Sequence, residues 1–178
     1  LKELQDVPGR QWIAPRIHQL LANACRYQGR QAEALDAANS ALSLAKEYGA
    51  APRIDDALTE LLHLAVDACQ YDRARDLAGE IRGRQRFSGD RLGSIRGELL
   101  LGQVELGRGK LELAARHQEM ALSLLVEDDD PRLFAAAHSG LADAYAEAGR
   151  FQDVRGPLEE ALSRYVSLGD TRGEIGVL

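Results

Sequence analysis

Residues 141–154 read LADAYAEAGRFQDV, and residues 21–34 read LANACRYQGRQAEA. Both begin with Leu followed by a small residue, reach Gly at the ninth position and end a turn later on Ala or Val. Apolar and small residues recur at three- and four-residue spacing on either side of the glycine. That is the pattern of an amphipathic helix, a sharp stop and a second helix.

The skeleton returns every 40 residues. Slid by that distance, the chain aligns Leu21, Leu61, Leu101 and Leu141, then Ala22, Leu62, Gly102 and Ala142. Gly29, Gly109 and Gly149 share a register with Cys69 as the exception, followed by Ala34, Ala74, Ala114 and Val154. Ala41, Ile81, Ala121 and Ala161 form another set, and Gly49, Gly89 and Gly169 align with Asp129. Four units keep one register without an insertion. First helices are expected near 15–28, 54–69, 91–106 and 131–148. Second helices are expected near 31–48, 71–87, 110–126 and 151–168. Gly49, Gly89 and Gly169 suit helix C-termini, since glycine accepts the left-handed conformation there. Asp90 and Asp170 suit the following N-caps, and Asp130 before Pro131 places proline at the first helical position. Pro157, inside a second helix, predicts a kink.

The run Leu-small-x-x-aromatic-x-x-x-Gly, then Ala five residues on, then Ala-Leu, resembles the tetratricopeptide repeat. Leu141, Ala142, Tyr145, Gly149, Ala161 and Leu162 match it best. Leu21, Ala22, Gly29, Ala34, Ala41 and Leu42 follow, then Leu101, Gly102, Gly109, Ala114, Ala121 and Leu122. The second unit departs most, with Ala65 at the aromatic position and Cys69 at the glycine. The common repeat has about 34 residues, and the longer unit here is similar to those of bacterial regulatory and signalling proteins. The resemblance implies an all-α fold, an α-α superhelix (a right-handed solenoid) of about four stacked antiparallel hairpins. Stacking is required because one hairpin cannot bury its apolar face alone.

The expected organisation is a single array, 1–178, with repeats at 15–50, 54–90, 91–130 and 131–170. Residues 1–9 align with the end of a second helix, and 171–178 with the start of another first helix. A chain cut through its repeats at both ends reads as a piece of a larger protein.

Composition narrows the function. The 178 residues are 45% hydrophobic and 28% charged, the balance of a folded chain. The net charge of −6 opposes phosphate and argues against direct nucleic-acid binding. No apolar run reaches the roughly 18 residues of a membrane span. Cys25 and Cys69 make neither a disulfide framework nor a metal pair, which suits a reducing cytoplasm. His18 and Cys25 stand seven apart on one helix, but a zinc site needs three or four ligands. His63, His117 and His138 add no convergent set. No phosphate loop, H-E-x-x-H or G-x-S-x-G signature occurs; GQVELGRGK (102–110) has the wrong spacing, with Gly102 a packing site and Gly109 a turn. No catalytic, cofactor or metal residue is assigned. Arginines 73, 75, 82, 84, 86, 91 and 96 read as a solvated face balanced by Asp72, Asp76, Glu80 and Asp90.

The resemblance assigns partner binding to the concave side lined by first helices. Counting faces from the core leucines gives Arg16, Gln19, Asn23 and Arg26 in the first unit, and Asp56, Thr59, His63 and Asp67 in the second. The third offers Arg96, Leu99 and Gln103, and the fourth Ser139, Asp143 and Glu147. A doubly anionic peptide tail is disfavoured by the acidic members. The expected role is a non-catalytic protein-interaction scaffold, the repeat region of a larger bacterial regulator such as a transcription activator. Its partner would be a protein, a peptide or another domain of the same parent chain. The alternatives are a ligand- or peptide-sensing domain, and a spacer that self-associates through its end helices.

Overall fold

The computed structural model describes residues 10–170 and Gly173, with side chains from Ile13 onward. The helix ends expected at 1–9 and 171–178 lie outside the described residues, Gly173 apart. Among the described residues eight helices follow in order: α1 (Arg10–Tyr27), α2 (Gln31–Glu47), α3 (Ala51–Asp67), α4 (Tyr71–Ser88), α5 (Arg91–Gly107), α6 (Leu111–Leu124), α7 (Pro131–Glu147) and α8 (Phe151–Leu168). No strand occurs among the described residues. The chain falls into two compact units, 1–81 and 82–178, dividing inside α4.

The stops are chemical. Gly29, Gly49, Gly89, Gly109, Gly149 and Gly169 all adopt positive φ between 62 and 73°. Cys69 takes the same conformation at φ 55°, the only non-glycine among the described residues to do so. The three expected caps form: Asp90 accepts from Gly93 N–H at 2.9 Å, Asp130 from Arg132 N–H at 2.9 Å and Asp170 from Gly173 N–H at 3.1 Å. Each satisfies a backbone donor that the helix itself leaves unpaired.

Within 1–81, α1 packs on α2, α2 on α3, and α1 on α3. Within 82–178 the same scheme recurs: α5 on α6, α6 on α7, α7 on α8, and α5 on α7. First helices therefore meet first helices one hairpin on, the contact that defines a stacked repeat. The interiors are built from small residues against leucines. In the first unit Ala22, Ala34 and Ala38 are sealed against Leu61 and Leu64. In the second, Ile95, Ala121 and Ala137 form one cluster, and Ala114, Ala115, Leu141 and Ala144 another. Alanine lets the helix axes approach, and each leucine buried there contributes about 1.5–3 kcal/mol.

Two sequence expectations need correction. Leu61, Leu101 and Leu141 are buried, but Leu21 is 49% exposed. No described element covers its side of α1, which also exposes Ile13, Ile17 and Leu20. Pro157 does not break α8, which runs from Phe151 to Leu168. Its missing N–H would have bonded the carbonyl of Asp153 in the first turn, so one bond near an end is lost rather than a mid-helix ladder. Likewise α1 begins earlier than expected and passes through Pro15.

Candidate functional site

The first-helix faces of the two units differ in what their polar groups do. In the first unit they bind one another. Arg26 of α1 donates from Nε to Glu60 of α3 at 3.0 Å and from Nη1 to Asp67 at 3.2 Å. Glu60 is 4% exposed, and burial, partly offset by Arg26, raises its pKa. His63 stands in the same group; burial first, then Arg26, lowers its pKa. Arg16 is bonded to Gln19 at 2.7 Å and Arg53 to Asp56 at 2.8 Å, while the Thr59 hydroxyl donates to the Asp55 carbonyl at 2.8 Å. Asn23 is half-buried on the same face. Of the eight residues assigned here, Arg26 and Asp67 tie α1 to α3, while Arg16, Gln19, Asp56 and Thr59 bond within their own helices.

In the second unit the face opens. Leu99 and Gln103 of α5 and Ser139 and Asp143 of α7 line one cavity of about 160 Å³. Leu106, Gln118 of α6, Ala136, Gly140 and Tyr165 of α8 complete its lining. Four of the six residues assigned to this half therefore converge. Arg96 is exposed and does not line the cavity. Glu147 lies one turn beyond Asp143 and acts on it through charge. The pKa of Asp143 is raised by burial first and Glu147 second. Tyr165 is likewise raised, by burial, then Asp170 and Asp143, so the phenol and that carboxylate share one environment.

Gln118 was missed by face counting. It is 2% exposed, and its Oε1 has no hydrogen-bond partner. Its amide is wedged between two glycines: a Cβ at Gly140 would stand 2.6 Å from Gln118 Nε2, and one at Gly102 closer still. Gly102 is indeed a packing site, and Gln118 is what packs on it. The 40-residue register carried the signal, since the positions equivalent to Gln118 are Ala38, Ala78 and Leu158.

A second charged cluster lies beside this site but does not line it. Glu98 of α5, 3% exposed, meets His117 Nδ1 of α6 at 2.7 Å, with Arg82 and Arg86 at 3.6 and 3.7 Å. Arg91 forms a two-bond pair with Asp129 at 2.6 and 2.7 Å. The arginine-rich run is therefore balanced in part by Glu98 and Asp129, alongside Asp76, which faces Arg75 at 3.8 Å. Among the described residues no group of three or more His, Cys, Asp or Glu side chains is placed to hold a metal, and no helix is long and apolar enough to cross a membrane.

No family model matches the chain, and comparison with curated proteins gives no match. Solved structures do resemble it. The apo form of RapI superposes with a TM-score of 0.81 at 14% identity, covering 95% of this chain and 61% of that one. Aspartyl phosphate phosphatase F from Bacillus subtilis gives 0.82 at 14%, covering 95% and 44%. BtubC (BKLC) from P. vanneervenii gives 0.75 at 21%, covering 95% and 69%. The chain thus spans less than two thirds of the first two. At these identities the likeness is one of fold, a helical-repeat solenoid of paired helices.

Proposed function

We propose that this chain is a non-catalytic scaffold of tetratricopeptide type, built on a 40-residue unit, that binds a peptide or an extended protein segment along its first-helix face. The observation that carries this reading is the cavity shared by α5 and α7, where Leu99, Gln103, Ser139 and Asp143 meet. Ligand sites are concave, with apolar walls and a few converging polar groups, and about 160 Å³ is room for one side chain of a bound segment. The acidic net charge makes nucleic acid a poor partner. The residues around the cavity offer hydrogen bonds and apolar contact but no activated nucleophile or metal cradle. Catalysis, named for one structural relative, is not assigned to this chain. The parent context we favour is a cytoplasmic bacterial regulator whose other domains supply the output.

A random peptide display selection against the 178-residue chain tests the reading. Enriched peptides should bind with affinities lost on changing Leu99→Asp or Ser139→Arg and kept on changing Arg116→Ala. Binding indifferent to the α5–α7 face overturns it.

A second reading, self-association, is favoured by one feature. Ile13, Ile17, Leu20 and Leu21 leave an apolar stripe on α1, at 41, 37, 53 and 49% exposure. Exposed stripes of that kind mark contact surfaces. Sedimentation of the wild type and of Leu20→Lys decides it: a concentration-dependent mass abolished by the lysine supports self-association, and a single monomer mass in both excludes it.

A further inference from the structure

The two first-helix pairs lie two 40-residue units apart in sequence, so the same shift lays α1 and α3 on α5 and α7. Residues lining the α5–α7 cavity then fall on residues that close the face of the first unit. Arg26 becomes Leu106, and its partner Glu60 becomes Gly140. Asp56, bonded to Arg53, becomes Ala136, and Gln19, bonded to Arg16, becomes Leu99. In the first unit the chain fills this place with its own guanidinium, 3.0 Å from a carboxylate that is 4% exposed. In the second unit the pair is a leucine and a glycine, and a cavity of about 160 Å³ opens.

The exchange removes charge. Leu99, Leu106 and Ala136 give the cavity apolar surface, and Gly140 adds room without a side chain. Gln103, Gln118 and Ser139 are neutral, and their groups both donate and accept. No lysine, arginine or histidine is among the lining residues, and the one carboxylate, Asp143, is exposed. A cation entering here would give up water for a single surface ion pair, which returns little. An anion would face Asp143 and, one helical turn on, Glu147. An uncharged apolar side chain gains by leaving water, and a volume of this size holds a benzene-sized group.

We infer that this cavity is the anchor pocket for one uncharged apolar side chain, of leucine or methionine size, on the bound peptide. That side chain takes the place Arg26 fills in the first unit and packs against Leu99, Leu106 and Ala136. This inference rests on the peptide-binding reading above and specifies its anchor.

The test uses the full chain, labelled with nitrogen-15, and capped pentapeptides Ala-Ala-Xaa-Ala-Ala at millimolar concentrations. Xaa is leucine, methionine, alanine, lysine or glutamate. Leucine and methionine peptides should shift the Ala136 and Gly140 backbone amides saturably. Alanine, lysine and glutamate peptides should bind at least tenfold more weakly. The decisive variant transplants the first unit's pair: Leu106→Arg with Gly140→Glu, and Gln118→Ala to clear the contact that a Cβ at Gly140 would make. It should fold by circular dichroism and lose the leucine peptide at least tenfold. Should it not fold, Ala136→Leu decides, at a register position where Arg16 and Arg96 already carry long side chains. That change should weaken the leucine peptide at least fivefold. Lysine, glutamate or alanine peptides that match leucine overturn the assignment. So does a folded transplant that still binds, or an unmoved Gly140 amide. Display-selected peptides that hold the α5–α7 face after every apolar residue is changed to alanine sink this inference and spare the scaffold. Leucine peptides that titrate when no selected peptide binds spare this inference and sink the scaffold.

Discussion

At the scale of single residues, the buried glutamine and its two glycines behave as one object. Gly102→Ala places a methyl group against the Gln118 amide, and overpacking of that kind costs about 1–3 kcal/mol. Gln118→Ala in the same chain restores the small-on-small pairing already present at Ala22 and Ala38. The double variant should recover most of the loss, so a double-mutant cycle in urea should show coupling of about 1 kcal/mol or more. Additivity of the two changes would place the side chain elsewhere. Gln118→Leu keeps the volume and removes the orphaned oxygen. It should stabilise the chain by about 1 kcal/mol, since no buried acceptor is then left without a partner. Cys69 is a smaller case of the same logic. It holds a left-handed conformation, φ 55°, at a register position occupied elsewhere by glycine, and that conformation costs a side-chain-bearing residue roughly 1–2 kcal/mol. Cys69→Gly should therefore raise the urea midpoint, partly offset by the greater freedom of glycine in the unfolded chain. A lowered midpoint would mean that the Cys69 side chain makes contacts worth more than the strain.

Helices and their turns show how far the sequence could be read. The eight helices begin and end within a few residues of where periodicity, glycine and aspartate put them, because those signals act locally. Asp129 is where the local rule changes. It stands in the register of Gly49, Gly89 and Gly169, and α6 ends early at Leu124 without a left-handed glycine. What holds the longer turn is Asp129 itself, accepting from both Arg91 terminal nitrogens and from Val126 N–H. Sequence could not announce that pair, since its partners are 38 residues apart and each looks like ordinary surface charge. The Arg91 hydrogen bonds, then the Val126 N–H, depress the Asp129 pKa to about 2. A carboxylate with a depressed folded pKa adds stability that is complete above its unfolded value near 4 and fades as pH falls toward 2. Asp129→Asn should therefore lower the melting temperature at pH 7, and the gap between variant and wild type should close between about pH 4 and pH 2. A gap that persists unchanged at pH 2 would assign the effect to the turn geometry rather than to the charge.

For the molecule as a whole, the same blindness explains which part of the candidate site was legible. Face counting found Leu99, Gln103, Ser139 and Asp143 because helical periodicity fixes which residues share a side. It could not tell that Arg26, Asp67 and their neighbours on the first-helix face of the first unit are bound to each other, while the cavity on that face lies in the second unit and the first unit's own cavity lies between α2, α3 and α4. That depends on Glu60, a charged residue at a buried position 34 residues from its partner. The two units accordingly differ in what stabilises them. Both have apolar clusters, on α1 to α3 and on α5 to α7, but the buried carboxylate of the first, Glu60, ties two first helices together through Arg26, whereas that of the second, Glu98, meets His117 of α6 and Arg82 and Arg86 of α4. Arg26→Met leaves Glu60 buried without its cation, a change that costs about 2–4 kcal/mol in partly buried pairs. Burial raises the Glu60 pKa and removing Arg26 raises it further, so acidification should return part of the loss by neutralising the carboxyl at a higher pH than an ordinary glutamate needs. In a repeat protein stability is nearly a sum over units and adjoining interfaces. Native-state hydrogen exchange of Arg26→Met should then show faster exchange for amides of α1 and α3 and wild-type protection in α7 and α8. An equal loss of protection in all eight helices would mean that the chain opens only as one body, and that an ion pair in the first unit governs the stability of the second.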